Sequence, residues 1–176
     1  MSRNLSKKEE QKEQYQQQIF EKFAIAANTS HQLGIEVASI SNQRPPLPDI
    51  YCTILGRPHY FEITEIVDEG LAKNVTTSIK ETVKTKKTVI LGVPFSQDNP
   101  LLKAFTQKAG KSYSELDGPL ELLAFYQKQY PPSADLLTPE TLCALNLIVA
   151  QMTGQAWWRV WIFNCWNDKI IGSVSR

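Results

Sequence analysis

Two acidic residues stand out in a stretch of the chain that otherwise reads as a β-hairpin. The stretch from Pro48 to Ile66 is PDIYCTILGRPHYFEITEI, with Asp49 before its first apolar run and Glu62 inside its second. Carboxylates held close together in a sheet are destabilising unless they are paired or bind a cation. Asp49 and Glu62 are therefore candidate metal ligands. The alternative is a hairpin open to water on one side, on which both acids are solvated.

The position of the turn decides whether the two carboxylates can meet. A turn centred between Gly56 and Arg57 predicts that Asp49 lies opposite Thr64. Asp49 and Glu62 then become diagonal neighbours on one face, about 7–8 Å apart between Cα atoms. At that separation the two side chains can converge on one cation.

The length of the loop decides which face each side chain takes. A loop of odd length would place Asp49 on the same face as Glu65, because a slip of one residue moves every side chain to the other face. An even loop is favoured, since it places Phe61 and Ile63 together on the opposite face, where they can pack in a core.

The composition limits which metals such a site could take. The chain has two histidines and three cysteines with no CxxC pair, which does not indicate a zinc site or a disulfide framework. A cation here would prefer oxygen ligands, as Mg²⁺, Mn²⁺ and Ca²⁺ do. Cys52, Cys143 and Cys165 fall in apolar segments and are expected to be buried free thiols.

Hydrophobic periodicity predicts a single α/β domain over residues 1–176, with a mixed sheet flanked by helices on both faces. The first helix is expected from about Lys7 to Gln32, and the charged residues 1–12 are expected to form a frayed or extended helix end. Further helices are expected over 69–84, 100–111 and 138–152, and strands over 35–40, 50–55, 59–67, 89–93, 120–126, 157–166 and 169–174.

Positive charge is concentrated in the middle of the chain, although the net charge is only +1. Between Gly70 and Ser112 there are eight lysines and two acidic residues. Such an excess could face phosphates, or it could be a solvated helix face. The candidate nucleic-acid-binding residues are Lys73, Lys80, Lys84 and Lys111.

Neither a membrane span nor a signal peptide is indicated. No apolar run approaches the length needed to cross a bilayer. The N-terminus is charged and rich in glutamine, unlike the apolar core of a signal peptide. We therefore expect a cytoplasmic protein with no membrane partner.

The hairpin resembles the PD-(D/E)XK superfamily of restriction-endonuclease-like nucleases. In that motif Pro-Asp opens one strand, and an acidic residue, any residue and Lys follow on the next strand. Pro48-Asp49 and Glu62 match this pattern, whereas Thr64 stands at the position of the Lys. The sequence QKAGKSY over 107–113 is similar to the KxxKxY helix of a branch in which ExT replaces ExK.

The resemblance implies a restriction-endonuclease-like fold and cleavage of DNA phosphodiester bonds with Mg²⁺ or Mn²⁺. Asp49 and Glu62 would hold the metal, which polarises a phosphate oxygen and helps to deprotonate a water. Glu21 would match the further glutamate that the first helix of this family often supplies. DNA is the implied partner, and a homodimer is the assembly that many nucleases of this fold use.

Thr64 leaves the position of the motif lysine without a positive charge. A lysine there would orient the water or stabilise charge in the transition state. Lys108 is the first candidate to reach the same space from elsewhere in the chain, and Lys80 is the second. Otherwise the metal alone suffices, or the site has decayed and the domain only binds.

Two functions of different classes follow from these residues. The first is a metal-dependent DNA nuclease, which is favoured by Asp49, Glu62 and the lysine-rich middle of the chain. The second is a catalytically inactive domain of the same fold that binds nucleic acid or protein, and Thr64 favours it. Metal binding by the hairpin distinguishes the two.

Overall fold

The computed structural model describes residues 6–67, 100–109, 111, 113, 116–127, 143–146 and 157–175. Its helices are α1 (Lys7–His31) and α2 (Pro100–Ala109), and residues 143–146 are also helical. Its strands are β1 (Ile35–Asn42), β2 (Ile50–Ile54), β3 (Arg57–Glu65), β4 (Leu120–Tyr126), β5 (Trp157–Asn164) and β6 (Lys169–Ser175).

Within the described residues, the six strands form one mixed sheet in the order β1-β2-β3-β4-β5-β6. The strands β3, β4 and β5 run parallel, and the flanking pairs are antiparallel. All seven residues of the central strand β4 are buried, as its near-continuous apolar sequence predicts. The predicted mixed sheet with helices is therefore confirmed.

The two helices cover opposite faces of the sheet. Phe23 of α1 packs in one apolar cluster with Leu123 and Phe125 of β4. Phe105 of α2 packs in a second cluster with Leu122 of β4. Alternate residues of a strand point to opposite faces, so the two clusters lie on the two sides of the sheet.

Helix α1 begins where the sequence predicts and ends one residue earlier. The side chain of Ser6 accepts a hydrogen bond from the backbone of Glu9, and the Glu9 carboxylate accepts one from the backbone of Ser6. This capping box satisfies backbone donors that the first turn leaves free. The helix stops at Gln32, whose backbone is left-handed with φ 50°.

The turn of the hairpin lies one residue earlier than predicted. Leu55 and Gly56 form it with φ of 51° and 74°, and Ile54 pairs with Arg57. Both turn residues with positive φ are typical of a type I′ hairpin, which matches the twist of the strands. The predicted centre between Gly56 and Arg57 was therefore wrong, and the pairing register shifts by two residues.

Contacts with β1 hold the turn in this place. The backbone N–H of Leu55 donates to the carbonyl of Gly34 at 3.1 Å, and that of Gly56 donates to the carboxylate of Glu36 at 3.1 Å. The loop still has an even length, so each side chain keeps its predicted face. Phe61 and Ile63 accordingly lie in the core beneath α1, as predicted.

The remaining segments agree with the sequence to within two residues at their ends where they are described. Residues 143–146 are helical, within the helix predicted over 138–152. The helix predicted over 69–84 and the strand predicted over 89–93 lie outside the described residues. No helix in the described part of the chain is long and apolar enough to span a membrane.

Two of the three cysteines are buried as predicted. Burial raises the pKa of the thiols of Cys52 and Cys165 to about 12, so both stay protonated and unreactive at neutral pH. Cys143 is exposed, and its predicted burial was wrong. Within its helical stretch Leu145 is the residue that enters the core beside α2, which leaves Cys143 on an outer side.

Leu55 carries backbone strain that a substitution should relieve. The Cβ atom of an L-residue approaches the following carbonyl oxygen in the left-handed region, and Asn offsets this with local hydrogen bonds of its side chain whereas Leu cannot. Leu55 is 77% exposed, so little buried surface is lost when its side chain is removed. We expect Leu55→Asn to raise the free energy of unfolding by about 1 kcal/mol, measured by urea denaturation. Leu55→Ala lacks the side-chain amide that lets Asn adopt this conformation, so it should give no gain. Equal stability of the two variants would contradict this account.

Candidate functional site

Asp49 and Glu62 lie side by side on the face of the sheet that α2 covers. Asp49 immediately precedes β2, and continuing the register of Ile50 with Phe61 by one residue places it opposite Glu62. Its Oδ2 accepts a hydrogen bond of 2.9 Å from the backbone N–H of Ile63, which fixes it to β3. The corrected register thus brings the carboxylates directly opposite each other, closer than the predicted diagonal.

Glu62 is buried to an unusual degree for a carboxylate. Its side chain is 1% exposed, and it pairs with Leu122 of β4, a residue of the apolar core beside α2. A charge in such a place requires partners, because burial removes the water that would solvate it. The partners come from α2 and the residues that follow it.

Three side chains from this segment converge on Glu62. Lys108 Nζ lies 3.4 Å from Asp49 Oδ2 and donates a hydrogen bond to Glu62 Oε2. Lys111 Nζ donates to the same oxygen of Glu62 at 2.9 Å. The hydroxyl of Tyr113 donates to Glu62 Oε1. Both oxygens of the buried carboxylate are therefore hydrogen-bonded.

The packing of α2 explains why Lys108 reaches this place. Leu101 and Phe105 are buried against the sheet at a spacing of four residues. Lys108 follows Phe105 by three residues, so it lies on the same side of the helix. The helix begins at Pro100, a residue suited to a first turn. The apolar side of α2 thereby places the charged end of Lys108 over the carboxylates.

Electrostatics fix the protonation of the donors. Burial disfavours the charged form of Lys108, but the nearby carboxylates of Asp49 and Glu62 outweigh it and raise its pKa. Burial and the hydrogen bond to Glu62 raise the pKa of Tyr113. Lys108 is therefore an ammonium group and Tyr113 a neutral hydroxyl donor at neutral pH.

The structure brings together Asp49, Glu62 and Lys108 among the predicted catalytic residues. Thr64 lies two residues beyond Glu62 on β3, half-buried and paired with Ala124 of β4. Glu21 lies on α1, which covers the opposite face, and it accepts a hydrogen bond of 2.9 Å from Gln17.

No group of three His, Cys, Asp or Glu side chains suited to a metal forms among the described residues. Glu21 accordingly lies apart from Asp49 and Glu62. Of the predicted nucleic-acid-binding lysines, Lys111 contacts Glu62, whereas Lys73, Lys80 and Lys84 lie outside the described residues.

The carboxylate pair fits a cation of the magnesium type. Its oxygens converge on one positive group, the ammonium of Lys108, which lies within ion-pair distance of both Asp49 and Glu62. Mg²⁺ in proteins is commonly held by one or two carboxylates, with waters and substrate phosphates completing the shell. Two carboxylates are therefore a sufficient protein contribution for Mg²⁺ or Mn²⁺.

Sequence reasoning missed the role of Tyr113 and the contact of Lys111 with Glu62. The spacing of three between Lys108 and Lys111 is the signal for that pair, because residues three apart in a helical turn lie on one side. Tyr113 lies beyond the end of α2, so helix spacing gives no signal for it. The buried state of Glu62 was also missed. Glu62 lies between apolar residues of β3, and β3 is paired with the apolar strand β4. This position is the feature that indicates a buried Glu62.

A second buried carboxylate, Glu121 of β4, lies on the other face of the sheet. It is 2% exposed, and it accepts a hydrogen bond from the indole N–H of Trp161. Nδ1 of His59 lies 3.4 Å from Glu121 Oε1, without the geometry of a hydrogen bond. In the sequence, the burial of Glu121 is indicated by its position as the one acid in the apolar segment LELLAFY.

In comparisons with known proteins, no family model, curated protein or solved structure matches the chain.

Tyr113 provides a test of how tightly the buried carboxylate depends on its donors. Tyr113→Phe leaves Glu62 Oε1 buried without this donor, so we expect it to lower the free energy of unfolding by about 1–3 kcal/mol, measured by urea denaturation. Tyr126→Phe is the matched control. The buried hydroxyl of Tyr126 lies near Asn164 but forms no hydrogen bond of good geometry, so its removal should change stability little. Equal losses in the two variants would contradict a specific role for the hydroxyl of Tyr113.

Proposed function

We propose that this protein is a metal-dependent nuclease that hydrolyses DNA phosphodiester bonds. The observation that carries the proposal is the convergence of Asp49, Glu62 and Lys108, two carboxylates and one ammonium group, at a single point. Asp49 and Glu62 stand where the PD-(D/E)XK pattern has its acids. The proposal includes a restriction-endonuclease-like fold, which a mixed sheet with helices on both faces supports.

Each residue has a role that its chemistry allows. Asp49 and Glu62 would hold Mg²⁺ or Mn²⁺ through hard oxygen ligands. When bound, the metal would polarise a phosphate oxygen and help to generate a nucleophilic hydroxide from water. Lys108 would place its ammonium beside the phosphate oxygens on which negative charge increases in the transition state. It thereby supplies the positive charge that Thr64 lacks.

The surroundings of the site support an anionic substrate. Lys111 lies beside Lys108 and has a side chain that is 46% exposed, so it can contact a phosphate from solvent. Lys73, Lys80 and Lys84 remain predicted DNA contacts from the sequence. A homodimer and a cytoplasmic location likewise remain predictions from the sequence.

The second candidate is a catalytically inactive module that binds nucleic acid or protein. One observation favours it. Both oxygens of Glu62 are engaged by donors of the protein itself, so the cluster of Glu62, Lys108, Lys111 and Tyr113 is a complete structural unit. In that case the carboxylates would stabilise the fold and take no part in chemistry.

A plasmid-cleavage assay distinguishes the two candidates. We expect the wild-type protein to nick or cut supercoiled DNA when Mg²⁺ or Mn²⁺ is added. Asp49→Asn and Lys108→Ala should each reduce the rate about 100-fold or more, because each removes a group that acts on the reacting phosphate.

Glu65→Gln is the matched control for the cleavage assay. Glu65 is an exposed acid of β3 that lies three residues from Glu62, and therefore on the opposite face. We expect its neutralisation to leave the rate unchanged. Cleavage by Asp49→Asn at the wild-type rate would contradict the proposed nuclease, and so would wild-type protein that cleaves no DNA with either metal.

A further inference from the structure

The lysines around Glu62 occupy the positions closest to the proposed metal ligands. Lys108 Nζ lies within ion-pair distance of Asp49 and Glu62, and Lys111 Nζ lies 2.9 Å from Glu62 Oε2. Two ammonium groups thus face two carboxylates, and their formal charges balance. Glu62 Oε2, one of the oxygens that would hold a divalent cation, is hydrogen-bonded to both lysines, and Tyr113 donates to the other oxygen of Glu62.

An ammonium group and a divalent cation compete for these oxygens. Glu62 is 1% exposed, and charges are weakly screened in such a buried place. A divalent cation bound to Glu62 beside both ammonium groups would therefore be repelled strongly. The cation can bind well only when Lys108 moves away from the carboxylates. Lys111 must also move away from Glu62, at the same time or afterwards.

The displaced lysines need another anion, and a phosphodiester offers one. A lysine side chain has a flexible four-carbon stem, so its ammonium can move several ångströms while the helix stays in place. The side chain of Lys111 is 46% exposed and that of Lys108 is 19% exposed, so both side chains reach solvent in part. A phosphate next to the exposed part of the Lys111 side chain could accept hydrogen bonds from both lysines.

We propose that a divalent cation and a DNA phosphate bind this site with positive coupling, because Lys108 and Lys111 exchange Glu62 for the phosphate when the cation binds. This inference rests on the proposed function. Coupling between two ligands is reciprocal, so each must tighten the binding of the other by the same factor. The exchange would also keep the carboxylates paired with lysine until substrate is present.

Calorimetric titration with MnCl₂ tests the exchange. The proteins are the wild type, Lys108→Met and the control Lys169→Met, each alone and with a short phosphorothioate DNA duplex that resists hydrolysis. Lys108→Met keeps an unbranched side chain that is one atom shorter and removes its charge. Lys169→Met removes the same charge from the exposed start of β6, at the far end of the sheet.

Without DNA, we expect Lys108→Met to bind Mn²⁺ about tenfold more tightly than the wild type, a factor usual for coupled sites. The duplex should tighten Mn²⁺ binding to the wild type by a similar factor and to Lys108→Met much less. Lys169→Met should match the wild type. Lys111→Met should act in the same direction with a smaller effect, and it serves as the test if Lys108→Met does not fold.

Two contrary results are distinguishable. If the wild type binds Mn²⁺ and the folded lysine variants bind it no more tightly, the exchange is overturned and the proposed nuclease is unaffected. If neither the wild type nor any variant binds Mn²⁺, with or without the duplex, the exchange and the proposed nuclease are both overturned.

Discussion

The buried carboxylate of Glu62 is the constraint on which the arrangement of the site depends. It lies on β3, beside the fully buried strand β4, with 1% of its side chain exposed. A charge in this position must be compensated by the protein or by a bound cation. The compensation comes from the end of α2 and the residues after it. Lys108 of α2 contacts both Glu62 and Asp49 and so links β3 to the start of β2. The same need for positive charge underlies the proposal that a metal binds here.

The sheet positions the charged groups by burying its central strands from both sides. Helix α1 covers one face and α2 covers the other, so a polar side chain in the covered part of the sheet is enclosed. Glu62 and Glu121 are such residues on opposite faces, and each has donors from neighbouring elements. The apolar side of α2 determines where Lys108 points. The fold thus fixes the geometry of the ion cluster through ordinary packing.

The sequence predicts the elements of this fold better than their contacts. Periodicity locates α1 and the strands, because each buries one side or both. The even loop of the hairpin follows from the need to pack Phe61 and Ile63 together. The position of the turn does not follow, because Leu55 and Gly56 donate backbone hydrogen bonds to Gly34 and Glu36, which lie in another segment of the chain. The contacts of Lys111 and Tyr113 with Glu62 depend on how α2 docks, which local sequence leaves open.

The central claim is that Asp49 and Glu62 form a site for a divalent cation that acts on a DNA phosphate. A calorimetric titration with Mn²⁺, in the presence of a phosphorothioate duplex, tests it most directly on the wild type and on the double variant Asp49→Asn with Glu62→Gln. The account predicts saturable binding by the wild type that is lost in the folded double variant. Equal Mn²⁺ binding by both proteins, or binding by neither, would contradict it.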